Sequence, residues 1–127
     1  IFRYNAASES HISTTTAAAS GFDTVTVSSG DVFQFSGVVF SGNFANLSSG
    51  QALAQTGSAV LSQLNSLYGS SSKIGAIEEL SFASGEHFLV YDQDHDGSIT
   101  ANDYVIKMVG AIGNGLQQQG DGSILVG

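Results

Sequence analysis

A chain of 127 residues, 42% of them hydrophobic, fits one domain that buries a core without covalent staples and does not fit a disordered tail. Only 3 Lys and Arg stand against 11 Asp and Glu, and the net charge of -8 argues against nucleic acid and anionic membranes as partners while favouring a cation. No apolar run nears the ~20 residues that cross a bilayer, and the absence of cysteine points to a cytosol or a bacterial exterior, not to a disulfide scaffold.

The chain opens on Ile1-Phe2-Arg3-Tyr4, without Met or a signal peptide, so residues 1–127 are expected to be a single domain cut from a longer protein. Ile1 to Asn5 is a short apolar strand, and Ala6 to Ser20, small and polar, reads as a loop. Phe22 to Ser28 alternates Val25 and Val27 with Thr24 and Thr26, the pattern of a half-buried strand. Ser29-Gly30-Asp31 turns the chain into a second alternating run with Phe33 and Phe35 on one face. Val38-Val39-Phe40 is a third apolar run.

From Gly50 to Tyr68 the period changes: Leu53, Val60, Leu64 and Leu67 fall at helical spacing, with Ser48 or Ser49 as cap and Gly69 as stop. This segment predicts an amphipathic helix that lids a sheet. Ile74 to Phe82 is short and mixed, a turn of helix or a strand. Glu86 to Tyr91 and Tyr104 to Val109 are the strongest strands, and Ile124 to Val126 adds a last one. No internal repeat is visible. The expected fold class is mainly β, a sandwich or roll-capping sheet with one helix over about residues 50–68.

Between the two strongest strands lies Asp92-Gln93-Asp94-His95-Asp96-Gly97-Ser98-Ile99-Thr100-Ala101-Asn102-Asp103. Acids fall at loop positions 1, 3, 5 and 12, Gly at 6 and an apolar residue at 8, the pattern of a calcium loop. Calcium takes roughly six to eight oxygen ligands. Alternate positions of a tight loop point carboxylates inward, Gly97 permits the sharp turn, Ser98 offers its carbonyl, and Ile99 anchors the loop in the core. The metal-ligand set is therefore Asp92, Asp94, Asp96, Ser98 and Asp103, with Thr100 binding directly or through water.

Without a cation, each pair of carboxylates ~4 Å apart repels by about 4 kcal/mol at an effective dielectric near 20. A divalent ion reverses that sign, so calcium is expected to order the loop and stabilise the fold. Position 12 is Asp103 and not Glu, which shortens its reach, and the flanks are strands, not helices. The expectation is a calcium loop at a β-hairpin tip, not a paired EF-hand.

Other polar groups read as structure. His11, His87 and His95 are scattered, and one imidazole beside Asp94 and Asp96 makes a poor zinc site. No G-x-S-x-G elbow occurs, and nothing in the sequence brings a Ser, a His and an Asp together. Glu78-Glu79 reads as a solvated face, Gly110 to Gly115 as a flexible turn and Asp121-Gly122-Ser123 as a turn. Asp23 and Asp31 give a faint signal for a second calcium. The chain itself is expected to be non-catalytic.

Ile1 to Ser10, Asp23-Thr24-Val25-Thr26-Val27 and Gly30 to Ser36 resemble the segment that ends the β-roll in RTX proteins, the serralysin-type proteases among them. Val90 to Ile99 and Tyr104 to Gly110 resemble the D-x-D-x-D-G hairpin and closing strand of the same modules. The resemblance covers most of the chain outside the predicted helix. It implies a C-terminal module of a type I secreted bacterial protein, which caps calcium-binding glycine repeats, carries an uncleaved secretion signal and folds on meeting external calcium. The implied location is extracellular or cell-surface, and the implied partners are calcium, the type I secretion machinery or further copies of the chain. A surface-assembly or adhesion domain of an S-layer or biofilm protein, and the accessory tail of a secreted protease or lipase, fit the same residues.

Overall fold

The computed structural model describes residues 2–4, 22–35, 44–69, 77–92, 97–100, 103–110 and 115–127. In chain order these form β1 (Phe2–Tyr4), β2 (Asp23–Val27), β3 (Val32–Phe35), β4 (Ala45–Ser48), α1 (Gly57–Gly69), β5 (Ile77–Ser81), β6 (His87–Tyr91), β7 (Tyr104–Gly110), β8 (Leu116–Gln118) and β9 (Ile124–Val126). Over the described residues the fold is mainly β with one short helix, as the alternating patterns imply. The apolar run 38–40 lies outside the described residues.

Two mixed sheets stack on each other. One has four strands in the order β1-β3-β9-β8, and the other has five in the order β2-β7-β6-β5-β4. The centre of the larger sheet is a β5-β6-β7 meander of antiparallel pairs, flanked by two parallel edges, β2 on β7 and β4 on β5. The Phe33 and Phe35 face of β3 turns inward, and both side chains are buried. Between the sheets they pack with Leu89, Tyr91, Tyr104, Ile106, Met108 and Ile124. Phe35 lies 5.0 Å from the Tyr104 ring, centre to centre.

The outer face of the five-stranded sheet is covered by α1. Val60, Leu64 and Tyr68, spaced by one helical turn, are buried against Leu80, Phe88, Val90 and Val105. Each such side chain contributes about 1.5–3 kcal/mol of burial. The middle strands are thus covered on both faces, which is why His87–Tyr91 and Tyr104–Met108 read as nearly continuous apolar runs without clean alternation.

Three expectations are corrected. The helix begins at Gly57, not near Gly50. Its first turn is capped by Thr56, whose Oγ1 accepts the Ala59 N–H at 3.3 Å, whereas Ser48 belongs to β4. Residues 52–54 fold back on the side of the helix and do not extend it: Gln63 Oε1 accepts the Ala54 N–H at 2.8 Å and Gln63 Nε2 donates to the Ala52 carbonyl at 2.9 Å, while the Ala83 N–H donates to the Gln51 carbonyl at 2.9 Å. Glu78-Glu79 is no solvated face. Glu78 is 0% and Glu79 7% exposed, because β5 is an inner strand of the doubly covered sheet. Gly110, expected to start a turn, closes β7, and within the mixed 74–82 run the strand alternative holds for Ile77–Ser81.

Gly110 is there for a close approach. Its φ is +113°, and a Cβ on it would stand 2.4 Å from the Val27 carbonyl oxygen across the β2–β7 pair.

Candidate functional site

The β6–β7 register runs to the Tyr91–Tyr104 pair, whose rings stack with centres 5.9 Å apart. Asp92 and Asp103 come next on the two strands, and both are fully buried. The expected calcium segment is therefore the connection of this hairpin, as its sequence position implies. Asp94 and Asp96, with His95, lie outside the described residues, and Ser98 is described and exposed.

Each buried acid is oriented by backbone it helps to fold. Asp92 Oδ2 accepts the Gly97 N–H at 2.9 Å, which ties loop position 1 to position 6. Gly97 has φ +84°, the left-handed turn for which a glycine was expected. Asp103 Oδ2 accepts the Thr100 N–H at 2.9 Å and the Thr100 hydroxyl at 3.2 Å, while the Thr100 carbonyl accepts the Asp103 N–H at 3.1 Å. That reciprocal pair has the logic of a capping box, although the chain continues into a strand.

Ile99 is fully buried in the helix-side core, as expected for an anchor. Burial, then the charges of Asp92 and Asp103, pushes the Tyr91 phenol above its ordinary value, so both acids act on one ring. Among the described residues, no three His, Cys, Asp or Glu side chains group to hold an ion. Asp92 and Asp103 are the described part of the expected acid set.

The second polar centre was not foreseen. His87 Nδ1 meets Glu79 Oε1 at 2.7 Å, the carboxylate buried and the imidazole half-exposed. The hairpin explains it: Glu79 faces Leu89 in register, so His87 is its diagonal neighbour on the same face. A strand reading of 77–81 with a turn at 83–85 would have found the pair.

Beside it, Ser84, Gly85, Glu86, His87, Lys107, Met108, Val109 and Gly110 line a cleft of about 300 Å³. Ser84 Oγ donates to Glu86 Oε1 and accepts the Leu53 N–H at 2.9 Å, so its bonds run to Glu86 and Leu53. The Ser84 bond is the first cause that lowers the Glu86 carboxyl below its usual value, with Lys107 and His87 adding to it against burial. His11 lies outside the described residues.

Asp31 and Asp121 close turns. Asp31 Oδ2 accepts the Ser28 N–H at 2.9 Å, and Asp121 Oδ1 accepts the Ser123 N–H at 3.0 Å. Asp23 opens β2, and Asp31 lies past its far end. Comparison of the chain with protein-family models, with curated proteins and with solved structures finds no match.

Proposed function

We propose that this chain is a calcium-binding β-sandwich module in which an ion at the β6–β7 connection completes the fold. On this reading it serves folding and type I secretion of an extracellular bacterial protein. The observation that carries the ion reading is the burial of Asp92 and Asp103 side by side at the ends of neighbouring strands, flanking a segment with two further acids. Burying carboxylates is costly unless they are hydrogen-bonded, paired or bound to a metal.

The donor set suits the ion. Carboxylate and carbonyl oxygens match calcium and not softer metals. Asp92, Asp94, Asp96, the Ser98 carbonyl and Asp103 would hold it, with Asp92 and Asp103 already turned by Gly97 and Thr100. Calcium would neutralise the acids and cross-link the ends of β6 and β7. The secretion reading leans on the resemblance of residues 1–10, 23–27, 30–36 and 90–110 to RTX C-terminal modules.

Calorimetric titration with calcium chloride, with magnesium as control, tests the ion site. Tight calcium binding by the parent, lost in Asp92→Ala and Asp96→Ala while the strand signal in circular dichroism persists, is the expected result. Variants that bind like the parent contradict it.

A further inference from the structure

Asn65 lies on the half-buried flank of α1 and reaches the loop through both ends of its amide. Its oxygen accepts the Ile99 N–H at 2.5 Å, and its nitrogen donates to the Ile99 carbonyl at 2.7 Å. One side chain thus takes both backbone groups of loop position 8, the pairing that a neighbouring strand would supply. The same nitrogen donates to the Leu61 carbonyl at 3.2 Å, one helical turn back, which fixes the side chain on its own helix.

No other residue type does this at equal length. Asp accepts the N–H but repels the carbonyl, and Leu keeps the shape and makes neither bond. The Ile99 side chain is meanwhile buried with Val60, Leu64 and Tyr68, so α1 holds both the apolar and the polar part of the residue. Ile99 sits between the two backbone groups that orient the acids, two residues after Gly97 (held by Asp92) and one before Thr100 (held by Asp103).

We propose that Asn65 is a positioning residue for the ion loop, fixing its backbone at Ile99 and coupling cation binding at Asp92 and Asp103 to the docking of α1. This rests on the calcium reading above. Both events then share one equilibrium: an ion that orders the loop aligns the Ile99 peptide groups for Asn65, and a docked helix presents the loop already shaped.

The test is amide hydrogen exchange of the whole chain during titration with calcium chloride, with magnesium as control, for the parent, Asn65→Leu and Ser62→Ala. In the parent, the amides of Ile99 and of residues 61–68 gain protection at one shared calcium midpoint. In Asn65→Leu the midpoint rises about ten-fold, the effect of losing roughly one net hydrogen bond in the bound state. The Gly97 amide still gains protection there, but the helix amides no longer follow calcium. Ser62→Ala, on the exposed side of α1, behaves like the parent.

An unchanged midpoint in Asn65→Leu, or helix protection that still tracks calcium in it, overturns the coupling and leaves the ion site standing. A parent that ignores calcium altogether removes the ion reading, and the coupling with it. Should Asn65→Leu not fold, the parent titration decides, since helix amides indifferent to calcium while Ile99 responds would overturn the coupling by themselves.

Discussion

Replacing Asp92 by Asn separates an ion ligand from a turn cap. The Asn carbonyl oxygen keeps the 2.9 Å bond from the Gly97 N–H, so the local turn survives and only the charge is lost. Continuing the Tyr91–Tyr104 register by one residue sets 92 opposite 103, where facing Cβ atoms lie about 5 Å apart. Two charges at that separation repel by about 3 kcal/mol at an effective dielectric of 20, a ceiling that falls as the carboxylates turn apart. In EDTA, Asp92→Asn is therefore expected to be more stable than the parent by about 1–3 kcal/mol. In calcium the order inverts. The parent gains about 2.7 kcal/mol at a calcium concentration one hundred times its dissociation constant, and the variant gains little. Urea denaturation of both proteins, with and without calcium, measures all four stabilities. A variant less stable than the parent by the same amount in both buffers would reduce Asp92 to a cap for Gly97 with no part in ion binding.

The Tyr91 phenol is raised by burial and by Asp92 and Asp103, so the folded chain keeps that proton to higher pH than the unfolded one. This contribution is whole below about pH 10 and is lost as pH rises through the raised value. Calcium, by offsetting the two acids, should bring the phenol part of the way back, seen as an earlier phenolate absorbance step that Tyr91→Phe removes. Leu64→Ala, at a fully buried position of α1, is expected to cost about 2–5 kcal/mol in chemical denaturation. Gly110→Ala meets the Val27 carbonyl and a φ of +113°, and a loss of about 1–3 kcal/mol should appear in the same assay.

The elements legible in the sequence are those whose side chains carry their own periodicity. Thr24 and Thr26 against Val25 and Val27, and Phe33 with Phe35, state which face is inside, and the apolar runs at 87–91 and 104–108 state that both faces are. What stayed hidden depends on partners far along the chain. β4 is a mixed four-residue strand, Ala45–Ser48, that pairs with β5 in parallel, and β8 is three residues held by β9. The helix start is hidden because Ser48 and Ser49 are good caps in isolation, while Gln63 folds residues 52–54 back on α1 from the other side. Two adjacent glutamates look solvated until the second cover of the sheet is in place. At the site, Gly97 makes the sharp turn and Ile99 is the buried anchor that their spacing implied, and Asp92 and Asp103 are buried at the ends of the hairpin strands. Asn65 left no sequence signal beyond a polar residue beside an apolar stripe, because what it reads is backbone 34 residues away.

Whether an ion at the β6–β7 connection completes the fold is decided by a thermal melt of the chain in EDTA and in millimolar calcium, with magnesium and Asp94→Ala as controls. The expected result is a rise in Tm of roughly 10 °C that is specific to calcium and disappears in Asp94→Ala. An identical Tm in EDTA and calcium would contradict it and leave residues 92–103 as a hairpin connection capped by its own aspartates.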